Sequence, residues 1–175
     1  MDIREQLLKE HSKANTQVIV NWIGTSPERL EQLIQLFTQD EYRVVQRAAW
    51  VLGDISIKFP YLLTPHYSLI IATMQTPLHP SVVRNSLRFF ADIDPTLSEE
   101  EEGILVELCF NLLLDPQQPV AIQVHAMQCI ANRLNTYPDL AIELKEIIEA
   151  SYENGTAGFR SRGKKILKQI AKMGK

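Results

Sequence analysis

The sequence has few of the residues that build metal or redox sites. Only two cysteines occur among 175 residues, Cys109 and Cys129, and each lies within an apolar run. Two distant cysteines make neither a disulfide framework nor a zinc site, so we expect reduced, buried thiols. The four histidines are scattered along the chain, at His11, His66, His79 and His125. The sequence therefore predicts no metal site.

Glycine is also scarce, and its seven residues form no phosphate-binding loop. No cofactor is therefore expected. Apolar runs are short, and none approaches the roughly 18 residues that a membrane-spanning helix requires. The first ten residues alternate charged side chains with single apolar ones, unlike a secretory signal. These features predict a cytoplasmic protein with no membrane association.

Charge is distributed unevenly along a chain whose formal net charge is −3. Residues 92–153 carry 13 acids and 2 bases, whereas residues 154–175 carry 7 bases and no acid. Glu99 to Glu102 open a helix in the predicted pattern, where carboxylates complement the helix dipole. The basic segment includes a line of cations at i+4 spacing, which is a candidate anion-binding edge: Arg160, Lys164, Lys168 and Lys172.

Apolar residues recur at helical spacing almost throughout, which predicts about ten helices and no strand. Asp2, Ser26 and Ser98 precede helical patterns as N-caps, and Glu101 completes a capping box with Ser98. Gly24 is placed to end a helix. The predicted fold class is therefore all-α.

The second helices of successive predicted pairs share one pattern. A small residue recurs at intervals of 38, 40 and 37 residues, at Ala48, Ser86, Ala126 and Gly163. Three positions later an apolar residue recurs, at Val51, Phe89, Cys129 and Ile166. A small residue lets a neighbouring helix approach closely, and the apolar residue fills the space between layers. The pattern indicates stacked helix pairs with a period near 40 residues.

The segment VVQRAAWVLGDI, residues 44–55, resembles the second helix of a HEAT or armadillo-type repeat, with the turn at Asp40 before it. The resemblance implies a right-handed α-α superhelix, or solenoid, of about five antiparallel helix pairs. It also implies a single domain over residues 1–175. The expected pairs are approximately 1–24, 26–58, 64–94, 98–135 and 138–175.

In such stacks the second helices line a concave surface, and the resemblance implies a non-enzymatic scaffold that binds a protein or peptide there. Armadillo-type importers use a Trp four residues before an Asn, and Trp50 matches, although Asp54 replaces the Asn. The candidate binding stripe comprises Arg43, Arg47, Trp50, Asp54, Arg84, Asn85, Arg88, Asp92, His125, Gln128, Asn132, Arg162 and Lys165.

A second family resemblance leaves an alternative open. HEAT-like DNA alkylation-repair glycosylases use a Trp, an Asp four residues later and an Arg in the next repeat, in the order of Trp50, Asp54 and Arg88. This resemblance implies a nucleic-acid partner and a catalytic role for those three residues. No small-molecule substrate is indicated by either resemblance.

Overall fold

The computed structural model describes residues 1–77 and 79–173, and in these residues it contains ten α-helices, one 3-10 helix and no strand. The chain is therefore all-α, as predicted. It divides into two compact units, Met1–Ile93 and Asp94–Lys175, which we call the N-terminal and C-terminal units. The prediction that the whole chain forms one domain of five pairs stays a prediction.

The N-terminal unit contains six α-helices, with the 3-10 helix between α4 and α5. They are α1 (Ile3–Lys9), α2 (Lys13–Ile23), α3 (Pro27–Gln39), α4 (Tyr42–Lys58), the 3-10 helix Pro60–His66, α5 (Tyr67–Gln75) and α6 (Pro80–Ile93). The C-terminal unit contains four: α7 (Glu99–Leu114), α8 (Val120–Arg133), α9 (Leu140–Tyr152) and α10 (Ala157–Met173). The expected last pair extends to residues 174 and 175, which lie outside the described residues.

Side-chain caps fix where several helices begin. Asp2 accepts a hydrogen bond from the backbone N–H of Glu5, and Ser26 accepts one from that of Arg29. Ser98 and Glu101 form the predicted capping box. Gly24, at φ 53°, ends α2 and donates its N–H to the Val20 carbonyl. These predicted boundaries are confirmed.

The second helices α2, α4 and α6 lie side by side within the N-terminal unit, with α4 in the middle. Each also packs against the helix that precedes it, so α1, α3 and α5 cover the inner faces of this layer. The four small residues that recur in the second helices of the chain are all buried. At Gly53, the side-chain oxygen of Asn85 lies 3.5 Å from the position that a Cβ would occupy, so α4 and α6 approach closely there.

The C-terminal unit repeats this arrangement with α8 beside α10 and α7 beside α9. A Cβ at Gly163 of α10 would lie 2.8 Å from Cγ2 of Ile148 on α9, closer than two carbons approach without displacement. The small residue at this recurring position is therefore a steric requirement. By contrast, Gly103 of α7 is exposed and has no atom within 4 Å of its Cβ position.

A buried arginine holds the ends of α7 and α8 together, a role that the helical pattern does not predict. Arg133 is 4% exposed, and its guanidinium contacts Glu102 and donates to the Cys129 carbonyl at 2.8 Å. Asp94, which has a left-handed φ of 49°, lies 3.5 Å from the same guanidinium. Burying this charge is tolerated because two carboxylates neutralise it.

Two glycine-to-alanine substitutions in the C-terminal unit separate steric fit from helix propensity. Gly103→Ala should raise the free energy of unfolding by up to about 1 kcal/mol, because alanine is the better helix former. Gly163→Ala gains the same propensity but overpacks the contact with Ile148, which costs about 1–3 kcal/mol. Urea unfolding followed by circular dichroism should therefore give a lower free energy of unfolding for Gly163→Ala than for Gly103→Ala. Equal free energies for the two variants would show that the α9–α10 contact is not tight.

Candidate functional site

Trp50 is a large aromatic side chain that remains accessible on the layer of second helices. It lies in the middle of α4 and is 36% exposed. The ring of His11, from the connection between α1 and α2, packs edge-on against it at a centroid distance of 4.6 Å. One side of the indole is thus supported while another part contacts solvent. This combination is typical of aromatic residues that anchor a binding partner.

A ladder of polar contacts ties α4 to the first two helices on either side of Trp50. Asp54 accepts a hydrogen bond from the Gln17 amide at 2.7 Å, and Lys58 donates to Asn21 at 2.9 Å. Arg47 donates to the Leu7 carbonyl at 2.6 Å. The ladder fixes the face of α4 that carries Trp50.

Arg47 and Asn85 do not face a binding surface, which corrects the predicted stripe. The Arg47 guanidinium reaches toward α1, and its Nε is buried without a hydrogen-bond partner. Asn85 is 6% exposed, donates to the Ser81 carbonyl at 2.9 Å and packs against Gly53. Arg47 joins α4 to the C-terminal end of α1, whereas Asn85 bonds within α6 and contacts α4 through Gly53.

The arginines of α6 lie beside the middle of α4. Asn85 packs against Gly53, so the segment of α6 that contains Arg84 and Arg88 lies beside the middle of α4. Arg88 pairs with Asp92, one turn later, at 3.4 Å. Arg84 is exposed.

We call this region the Trp50 face, and define it by Arg43, Trp50, Asp54 and Ile57 of α4 with Arg84 and Arg88 of α6. Ile57, two turns after Trp50, is 48% exposed and adds an apolar contact area that the predicted stripe did not include. The three arginines outnumber Asp54 and Asp92, the carboxylate that pairs with Arg88, so the charge balance of the face is positive. It therefore combines aromatic, aliphatic and cationic groups on one pair of helices.

The C-terminal unit contains the remaining stripe residues, and most of them bond to one another. Arg162 of α10 donates to Gln128 of α8, and Gln128 in turn donates to Asn132 at 2.5 Å. Gln169 donates to the Ala131 carbonyl at 2.9 Å. This ladder joins α8 to α10 as its counterpart joins α2 to α4. His125 is half-buried, whereas Lys165 is exposed.

The family-model comparison agrees with this architecture. The model described as "HEAT repeat domain" matches residues 3–170. The chain belongs to the HEAT repeat family. No curated protein matches it, and no solved structure matches it.

The geometry of this HEAT-repeat chain also bears on the glycosylase-like alternative. Asp54 is held by the Gln17 amide and Arg88 by Asp92, so each of the two charged residues has a structural partner. The three residues of that alternative nevertheless lie on two adjacent helices.

Sequence reasoning missed several residues that build the site, namely His11, Gln17, Asn21, Ile57 and Lys58. The repeat spacing could have indicated two of the contacts, Gln17 with Asp54 and Asn21 with Lys58. Gln17 precedes Asp54 by 37 residues, and Asn21 precedes Lys58 by the same interval, which is one repeat period. Polar residues one period apart on neighbouring second helices are therefore candidates for direct contact.

Neither a metal centre nor a membrane span is found in the part of the chain that the structure describes, residues 1–77 and 79–173. These residues contain no group of three histidine, cysteine or acidic side chains placed to hold a metal ion. None of their helices is both long enough and apolar enough to cross a membrane.

His79 caps α6, the helix that carries Arg84 and Arg88. Its Nδ1 accepts the backbone N–H of Ser81 at 2.9 Å, and the ring of Tyr42 packs against it at 4.4 Å. Accepting that bond requires an unprotonated Nδ1. Burial lowers the pKa of His79, and the positive charge of Arg84 lowers it further.

The free energy of unfolding should depend on pH through His79. Its pKa is lower in the folded chain than the usual value near 6.5, so the unfolded chain binds more protons below that pH. The stabilisation is complete above about pH 6.5 and is lost as pH falls through the folded pKa. His79→Asn keeps a capping acceptor that does not titrate. Between pH 7.5 and 5, urea unfolding should show a smaller decrease in the free energy of unfolding for His79→Asn than for the original chain. Equal decreases would contradict the assigned cap.

Proposed function

We propose that this HEAT-repeat chain is a non-enzymatic scaffold that binds a protein or peptide segment on the Trp50 face. The observation that carries the proposal is the partly exposed indole of Trp50, supported by His11 inside a hydrogen-bonded frame. An aromatic side chain held in place before binding loses little conformational entropy when a partner covers it. Such residues commonly supply most of the binding free energy of an interface.

The chemistry of the face indicates the kind of segment that it would accept. Trp50 and Ile57 offer apolar contact for an aliphatic or aromatic side chain. Arg43 and Arg84 are exposed on either helix and would attract carboxylates, while Asp54 already has the Gln17 amide as a partner. We therefore infer a partner segment with an apolar anchor next to acidic residues. Charge complementarity of this kind mainly raises the rate of association.

The remaining stripe residues have a supporting role in this proposal. Arg47 and Asn85 fix the helices that present the face, and the bonds among Gln128, Asn132 and Arg162 fix α8 against α10. Residues already engaged in such contacts would have to break them to bind a partner. The proposed site is consequently smaller than the predicted stripe.

Selection of peptides from a randomised display library on the purified chain tests the proposal even though the partner is unidentified. We expect enriched peptides to combine an aromatic or aliphatic residue with Asp or Glu. Trp50→Ala should weaken their binding by at least about tenfold, which corresponds to about 1.4 kcal/mol. Tyr61→Ala removes a comparable aromatic ring, 60% exposed on the 3-10 helix, and should leave the affinity unchanged. Isothermal titration calorimetry measures both.

Two results would contradict the proposal. If Trp50→Ala and Tyr61→Ala lose the same amount of peptide affinity while both variants remain folded by circular dichroism, the binding site is not at Trp50. Release of a base from alkylated duplex DNA, abolished in Asp54→Asn, would instead support the glycosylase-like alternative.

A further inference from the structure

The outward face of α10 carries a dense array of cations, although the rest of the C-terminal unit is acidic. Helix α10 contains no acidic residue. Five of its six cationic side chains are exposed, at Arg160, Lys164, Lys165, Lys168 and Lys172. We call these five the α10 basic face. The sixth, Arg162, bonds to Gln128 of α8 and is excluded from it.

Helix geometry separates this face from the packed side of α10. Phe159, Gly163 and Ile166 are buried, and Gln169 reaches the α8 backbone. The cations occupy the remaining arc. Successive members of the line from Arg160 to Lys172 are four residues apart, or about 6 Å along the helix axis. The face therefore presents positive charge over a length of about 18 Å.

Internal contacts do not account for these charges. Within residues 1–77 and 79–173, none of the five forms an ion pair within 4 Å, whereas Lys145 of neighbouring α9 pairs with Glu149 at 3.9 Å. Like charges four residues apart destabilise a helix, so the repulsion between these cations destabilises α10. An external anion would relieve this repulsion.

One part of the face is concave. An open pocket of about 450 Å³ lies between the end of α8 and α10, and is lined by Asn135, Lys165, Lys168, Gln169, Lys172 and Met173. Three of these side chains are ammonium donors. The Gln169 amide nitrogen already donates to Ala131. The pocket is thus suited to an anionic oxygen group such as a phosphate.

The side chains around the face indicate which polyanion it fits. Four of the five cations are lysines, whose ammonium groups bind phosphates as point charges. The apolar rim that insertion into a lipid surface requires is limited to Met173, and Phe159, the aromatic residue of α10, is buried rather than available to stack on unpaired bases. These features favour the phosphate backbone of a duplex.

We propose that the α10 basic face binds the sugar-phosphate backbone of double-stranded nucleic acid without sequence preference. The site lies within the C-terminal unit and does not depend on the proposed function of the Trp50 face. If all five cations contact phosphates, the logarithm of the binding constant falls with the logarithm of the salt concentration with a slope of about −4.5. Affinity then falls by about 500-fold between 50 and 200 mM salt.

Fluorescence anisotropy with a 20-base-pair duplex of arbitrary sequence, measured from 50 to 200 mM KCl, tests the proposal on the full chain. Lys165→Gln with Lys168→Gln should reduce the steepness of the slope by about 1.8. The matched control, Lys9→Gln with Lys13→Gln, removes the same charge from exposed positions in the N-terminal unit and should leave the slope unchanged. Equal effects of the two double variants would overturn the proposal.

Three further outcomes would also overturn it. The first is no binding of the duplex at 50 mM KCl. The second is tighter binding of a single strand of the same length, and the third is equal or tighter binding of polyglutamate or of vesicles containing phosphatidylserine. The last result would reassign the face to an acidic protein segment or to a membrane surface. Peptide binding at the Trp50 face, measured in the same variants, distinguishes failure of this proposal from failure of the proposed function.

Discussion

Close contact between helices, made possible by a small residue at a recurring position, is the constraint on which the structure depends. At Gly163 a Cβ would collide with Ile148. Ala48, Ser86 and Ala126 are buried at the corresponding positions of the other second helices. Because packing occupies this side of each helix, the opposite side is available for other contacts.

Much of that opposite side is used to hold neighbouring second helices together. Asp54 with Gln17 joins α4 to α2, and Gln128 with Arg162 joins α8 to α10. A polar side chain on a second helix of this chain therefore has two alternative roles, contact with the next repeat or contact with a partner. In the two proposals above, the Trp50 face and the α10 basic face are the surfaces that contact partners.

Helical periodicity and small-residue spacing were sufficient to predict the helices and the buried face of each second helix. Residue type predicted the caps at Asp2, Gly24, Ser26 and Ser98, but the caps at Ser12 and His79 were not predicted. Periodicity and spacing were not sufficient for residues whose role depends on side-chain direction. Arg47 and Asn85 occupy outward positions in the repeat pattern, yet each turns toward a backbone carbonyl. The burial of Arg133 could not be predicted because its two carboxylate neighbours, Asp94 and Glu102, come from separate segments of an acidic region. The 3-10 helix over Pro60–His66 was not predicted either, because its short segment contains two prolines and shows no helical periodicity of apolar residues.

The orientation of α4 determines both which side chains pack inside and whether Trp50 is accessible. Thiol accessibility measures this orientation most directly. Single substitutions Ala48→Cys, Val51→Cys and Ile57→Cys, each followed by reaction with a maleimide and peptide mass spectrometry, report which side of the helix meets solvent. Burial of the small-residue side predicts that Ile57→Cys reacts rapidly in the folded chain, and that the other two react only after addition of urea. Rapid reaction at Ala48→Cys and Val51→Cys, with Ile57→Cys protected, would contradict the packing and, with it, the accessible position of Trp50.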